Sequence, residues 1–133
     1  MKPVFADTFF FLAIINPKDR AHRIAIEFSS NRKEPILTTE WVLTELADGL
    51  DRTQDRHLFH LVLQDLTDSP DDLIVAANHE LFDRGANLYS SRPDKQWSLT
   101  DCLSFVVMEQ FGIKDALTGD QHFEQAGFVA LLK

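Results

Sequence analysis

The sequence predicts an α/β sandwich with a mostly parallel sheet, and three observations predict it. Short apolar runs of strand length alternate along the whole chain with longer segments of helical pattern, the order expected when helices cross over between parallel strands. One of those runs, Leu73-Ile74-Val75-Ala76, is apolar without interruption, as suits a central strand covered on both faces. The chain of 133 residues, 44% hydrophobic and 26% charged, is long enough to bury one core without disulfides and short for two domains. The expectation is therefore one domain over residues 1–133.

Residues 3–6 read as a buried first strand, and 9–15 as a helix that Asn16-Pro17 ends. Asp19 is placed to cap a second helix from Arg20 to about Ser29. Residues 35–37 form a short strand, after which Thr38-Thr39 caps a helix from Glu40 to about Leu50. Trp41, Leu43 and Leu46 are its inward residues, and Gly49 stands near its end. Residues 55–66 make a strongly apolar helix, 73–76 the central strand, 78–88 a further helix and 90–96 a polar loop. Ser98 opens a helix that reaches Phe111 and stops at Gly112. Residues 115–118 are a strand, 120–126 a turn or short helix, and 128–132 the last strand.

Composition narrows the function classes. The single cysteine, Cys102, excludes an intrachain disulfide, and the five histidines lack the spacing of a Cys/His zinc framework. His57 and His60 could share a helix face, where ordinary half-exposed helix residues are the expectation. Cys102 lies in an apolar run and is expected to be a buried thiol without chemistry. The opening residues show no signal-peptide pattern, and no apolar stretch approaches the roughly 18–20 residues of a membrane span, so the cytosol is the expected compartment. A net charge of −8 argues against a broad basic surface that holds nucleic acid non-specifically.

Four acidic residues stand where a plain solvated charge is not expected. Asp7 directly follows the first strand among apolar neighbours, where α/β proteins bind ligands; a helix N-cap is the competing reading. Asp120 follows Thr118-Gly119 just past another strand, which puts it at the same sheet edge unless it merely opens a turn. Asp101 is third after Ser98, the spacing of a capping box, but it heads a helix apolar almost all round and therefore points inward. Glu45 flanks the apolar face of its helix, beside Trp41 and Leu46, although a solvated glutamate also fits there. Brought together, the four would repel, since two charges 4 Å apart in a partly screened site cost about 4 kcal/mol. Hard divalent cations relieve that repulsion. Mg²⁺ or Mn²⁺ takes oxygen ligands, keeps waters and can activate one of them for attack on a phosphodiester.

Asp7-Thr8, Glu45, Leu99-Thr100-Asp101 and Leu117-Thr118-Gly119-Asp120-Gln121-His122-Phe123 resemble, in residue type and order, the four acidic motifs of PIN-domain ribonucleases. The resemblance spans the whole chain and is nearest to the small VapC-type toxins of toxin–antitoxin pairs. It implies a PIN-like three-layer sandwich around a five-stranded parallel sheet. It also implies a metal-dependent endoribonuclease in which Asp7, Glu45, Asp101 and Asp120 hold Mg²⁺ or Mn²⁺, with Thr8 and Thr118 supporting the metal shell through their hydroxyls. An RNA substrate, a cognate antitoxin and a homodimer follow from the same likeness. Glu40 lies on the same helix as Glu45 but faces elsewhere, so only one of the two reaches the site.

Two other functions compete with this one. A PIN-like binding module without turnover would keep the fold and lose the chemistry. A phosphoryl-transfer domain with Asp7 as nucleophile would want a second aspartate two residues on, where Phe9 stands. Arg20, Arg23 and Arg92, with Lys18, Arg84 and Lys95 nearby in sequence, are candidates to grip RNA phosphates; scattered solubility charges are the plainer reading. Trp97 looks exposed and fits either a dimer interface or a lid on the core.

Overall fold

Five short strands and seven α-helices alternate along residues 1–133, all of which the computed structural model describes. The first strand, β1 (Val4–Ala6), is buried at every residue. It pairs in parallel with β2 (Ile36–Thr39) on one side and β4 (Asp115–Leu117) on the other. β3 (Leu73–Val75) pairs with β2, and β5 (Val129–Ala130) with β4, again in parallel. The sheet order is β3-β2-β1-β4-β5. From β1 the chain builds outward through β2 and β3, then crosses back to lay β4 and β5 on the other side. The order therefore reverses between β1 and β4. In open α/β sheets a crevice opens at such a point, beyond the carboxyl ends of the strands.

This order corrects one expectation. Residues 73–76 are not central: β3 is an edge strand, and Leu73 is 46% exposed. An uninterrupted apolar run shows what a strand can bury, not its rank in the sheet, which the crossovers set. The centre belongs to β1, whose Phe5 is completely buried.

The helices begin where local chemistry starts them. α1 (Thr8–Ile15) follows Asp7 and ends at Asn16. α2 (His22–Asn31) starts two residues later than the sequence suggests, because the Asp19 carboxylate accepts the Ala21 N–H in a turn and does not cap the helix. In α3 (Glu40–Gly49) the Thr39 hydroxyl accepts the Val42 N–H at 3.0 Å, as expected of a cap. A 3₁₀ turn at Thr53–Asp55 leads into α4 (Arg56–Asp68), whose only fully buried residue is Leu66; His57 and His60 lie exposed on it. α5 (His79–Ser91) is capped by Asn78 and lies against α6 (Leu99–Gln110), where a Cβ at Gly85 would overlap Leu103. Every residue of α6 from Asp101 to Met108 is buried, as its all-round apolarity predicts. Gly112, at φ 66°, ends that segment and lets the Ile113 N–H reach the Met108 carbonyl. A short α7 (Gln121–Gln125) precedes β5.

Trp97 is 7% exposed, so it closes the core and is not a surface residue. Its ring meets Phe105 edge-on at 5.1 Å, and Phe105 meets Phe123 at 5.0 Å. This aromatic stack ties α6 to α7, the two elements that carry Asp101 and Asp120. Cys102 is buried in the same core, and burial pushes its thiol pKa up.

Candidate active site

The crevice between β1 and β4 is where the acidic residues converge. Asp7 leaves the end of β1 at the N-cap position of α1, yet its side chain makes no capping bond. It turns to the neighbouring strand instead, and its Oδ2 accepts the Thr118 hydroxyl at 2.9 Å. Thr118 is fully buried just past β4, and its oxygen also accepts the Asp120 N–H at 3.1 Å. One hydroxyl thus fixes a carboxylate on one strand and the backbone of the loop after the next.

Asp7 is only 6% exposed. Burial raises its pKa from 3.8 to about 7; the Thr118 hydroxyl works against the rise, and the nearby charges of Asp101 and Glu45 add to it. Glu45 is reached from the other side, where the Thr8 hydroxyl donates to its Oε1. Glu40 is turned away and accepts the Ala77 N–H at 2.7 Å, so Glu45 is the glutamate of α3 that faces this group.

Asp101 stands on the first turn of α6. Both readings of Ser98-x-x-Asp101 hold at once. The Ser98 hydroxyl accepts the Asp101 N–H, and Asp101 Oδ2 accepts the Ser98 N–H at 3.1 Å, which closes a capping box. The same Oδ2 also faces His122 Nδ1 at 3.0 Å, while Oδ1 has no protein partner. Burial is the main cause that raises the Asp101 pKa; the Ser98 and His122 donors oppose it. Asp120 caps α7 through Oδ1, which accepts the His122 N–H at 2.9 Å and lies 3.4 Å from His122 Nδ1. Ligand atoms of Asp101, Asp120 and His122 all fall within 4.8 Å of one another.

His122 is the residue that counting zinc spacings overlooks. Its one sequence signal is its place two residues after Asp120, which puts its ring on the first turn of the helix that Asp120 opens. None of the four carboxylates forms an ion pair with a lysine or arginine; His122 is the sole basic side chain paired with any of them. The donor set is carboxylate oxygens with one imidazole, and its charge is largely uncompensated within the chain. Such a set fits Mg²⁺ or Mn²⁺. Of the arginines expected to touch RNA, Arg23 pairs with Glu27, and Arg92 pairs with Asp94 while stacking over Trp97 at 5.1 Å; Arg20 has no acidic partner and borders a groove beside the site.

Acidic residues gathered at the switch point of a five-stranded parallel sheet, Asp7 and Asp101 buried and Glu45 exposed, suit a PIN-type nuclease, a hydrolase acting on RNA. The PIN-domain family model matches residues 4–129, and the chain belongs to that family. It is similar to the 23S rRNA-specific endonuclease VapC20 of Mycobacterium tuberculosis, 26% identical over 126 residues that cover 95% of each chain. The crystal structure of that protein, described as a Sarcin-Ricin loop cleaving toxin, superposes with a TM-score of 0.85 at 25% identity, over 95% of this chain and 96% of the other. FitAcB from Neisseria gonorrhoeae shares the fold, with a TM-score of 0.68 at 16% identity over 96% of this chain and 95% of its own.

Proposed function

We propose that this chain is a divalent-cation-dependent endoribonuclease that acts as the toxin of a toxin–antitoxin pair on a structured RNA. The observation that supports the reading is that Asp101, Asp120 and His122 lie within ligand distance of one another, with Asp7 near enough to feel the charges of Asp101 and Glu45 and no lysine or arginine paired with any of the four acids. In this reading Asp7, Asp101 and Asp120, with Glu45, hold Mg²⁺ or Mn²⁺. A cation bound there supplies Lewis acidity, making water a better nucleophile towards phosphorus and steadying the oxygen that departs. The protein supplies position. Thr118 holds Asp7 through its hydroxyl, and Thr8 holds Glu45. The Ser98 N–H and His122 hold Oδ2 of Asp101 and leave its Oδ1 without a protein partner. Fixing carboxylates in this way lowers the reorganisation needed when phosphate arrives.

The mycobacterial relative's description names a toxin and 23S rRNA, which supports a cognate antitoxin as partner and makes that RNA the first to test. A homodimer and action in the cytoplasm belong to the same proposal. Exposed apolar side chains such as Ile26, Leu61 and Tyr89 are available for a subunit contact, and no helix is long and apolar enough to cross a membrane.

The test is cleavage of ribosomal RNA, and of a short hairpin transcript, in Mg²⁺ or Mn²⁺. Cleavage is expected, with loss on adding EDTA and in both Asp7→Asn and Asp101→Asn. Persistence of cleavage in both variants would overturn the site. Binding of RNA without cleavage by the wild type would favour the binding-module reading.

A further inference from the structure

A groove of about 680 Å³ runs directly beside the acidic site, and Phe9, Lys18, Arg20, Ile24 and Gly119 line it. It shares a wall with the site on two elements. Phe9 follows Thr8, which bonds Glu45, and Gly119 lies between Thr118, which bonds Asp7, and Asp120. None of the four acids lines the groove, but two of its lining residues are chain neighbours of Thr8 and Thr118, which bond Glu45 and Asp7.

The groove has the opposite charge character. Lys18, Arg20 and Lys133 line it against one acid, Asp19; Lys133 pairs with Glu124, and Lys18 and Arg20 form no ion pair. Asp19 stands between them in sequence, but its carboxylate is engaged by the Ala21 N–H at 2.8 Å. In a chain of net charge −8, a groove lined by more cations than acids is suited to an anion. The loop that carries them is held in shape. Asn16 Oδ1 accepts the Lys18 N–H, the Asn16 carbonyl accepts the Asp19 N–H, and His22 Nδ1 meets the Ala13 carbonyl at 2.7 Å. The entropy lost on ordering a loop is already spent before an anion binds.

The remaining wall is apolar. The Phe9 ring lies against the Cα of Gly119 so closely that a Cβ there would fall 2.6 Å from Cζ. Glycine is what lets the half-buried ring stand in the groove wall opposite Ile24. An aromatic ring beside unpaired cations is the arrangement that takes single-stranded nucleic acid, with a base on the ring and phosphate on the cations.

We propose that this groove is the subsite for the nucleotide next to the cleaved phosphodiester, its phosphate between Lys18 and Arg20 and its base against Phe9 and Ile24. The proposal rests on the ribonuclease reading and adds to it the path of the RNA.

The test uses the full chain carrying Asp101→Asn, to stop turnover, and a fluorescent single-stranded oligoribonucleotide titrated across a salt series. Lys18→Gln with Arg20→Gln is expected to weaken binding about tenfold or more. It should also flatten the slope of log affinity against log salt by about 0.7, the contribution of one single-strand phosphate contact. Phe9→Leu, which keeps an apolar side chain, should weaken binding about fivefold or more with the salt slope unchanged. In the cleaving protein the double variant should raise KM while keeping kcat, and calorimetric Mn²⁺ affinity should stay as in the wild type. Lys2→Gln, at the opposite end of β1, controls for net charge and should change nothing. An unchanged slope, or an equal change from Lys2→Gln, overturns the groove while wild-type cleavage leaves the ribonuclease reading standing. Absence of both wild-type cleavage and Mn²⁺ binding overturns both.

Discussion

The two sides of the acidic crevice are held by different means. On the strand side, Asp7 and, from α3, Glu45 are held mainly by the hydroxyls of Thr118 and Thr8, with the Thr8 backbone N–H also favouring the Asp7 charge. On the helix side, Asp101 and Asp120 receive N–H donors: the Ser98 and His122 backbones at two helix starts, and the His122 ring between them. Hydroxyl bonds orient a carboxylate and leave its charge in place, whereas helix N-termini and an imidazole also offset it. Asp7 is also the most buried of the four, and burial, the largest cause, raises its pKa to about 7; burial raises that of Asp101 too, with the Ser98 and His122 donors opposing it. The ionised form of Asp7 is thereby disfavoured by roughly 4 kcal/mol. The strand side stores electrostatic tension that a cation would relieve, and the helix side is a preset frame that aims the ligands.

The largest expected effect breaks the strand side. Asp7's folded pKa lies above its unfolded value, so its contribution to stability is full below about pH 4 and is lost as pH climbs towards 7. Metal-free wild type should therefore melt at lower temperature at pH 8 than at pH 5, and Mn²⁺ should reverse part of the loss. Asp7→Asn should flatten this dependence and stabilise the metal-free protein at pH 8 by about 2–4 kcal/mol, while removing cleavage. Calorimetric melts across pH check it; an unchanged pH slope in the variant would show that Asp7 carries no such tension.

A smaller effect tests the helix side. His122→Leu removes the ring donor to Asp101 and Asp120 and should lower Mn²⁺ affinity about 10- to 100-fold. His122→Asn places an amide N–H close to the position of Nδ1 and should restore most of it. Titration calorimetry on both variants decides the point, and equal affinities would mean that the ring frames nothing.

The smallest effect separates the two glutamates of α3. Glu45→Gln should reduce Mn²⁺ affinity about tenfold, and Glu40→Gln should leave it unchanged, because Glu40 is spent on the Ala77 N–H. A matching loss in both would return the assignment to the helix as a whole.

Much of the fold was legible in the sequence. The alternation of elements, the Thr39 and Ser98 caps, the Gly112 stop and the buried α6 are local matters of side-chain spacing and capping chemistry, and each lies where the pattern puts it. Strand rank was not legible. Residues 73–76 are as apolar as any strand in the chain, yet β3 sits at the edge, since pairing between distant segments decides order. Of the two readings open for Trp97, the structure takes the lid on the core: its neighbours in sequence are polar, and its ring packs on Phe105 of the following helix.

The site divides in the same way. Residue type, order and motif spacing along the chain single out the four acids as candidates, because chemistry at a phosphodiester narrows the choice of side chains. Only the tertiary structure decided which oxygen faces which. The order reversal at β1 and β4 brings Asp7 against Thr118 from 111 residues away, and the aromatic stack sets α7 so that His122 reaches Asp101. Those contacts join segments with no pattern in common, so their energies are settled when the core packs, and no local rule of the chain can state them.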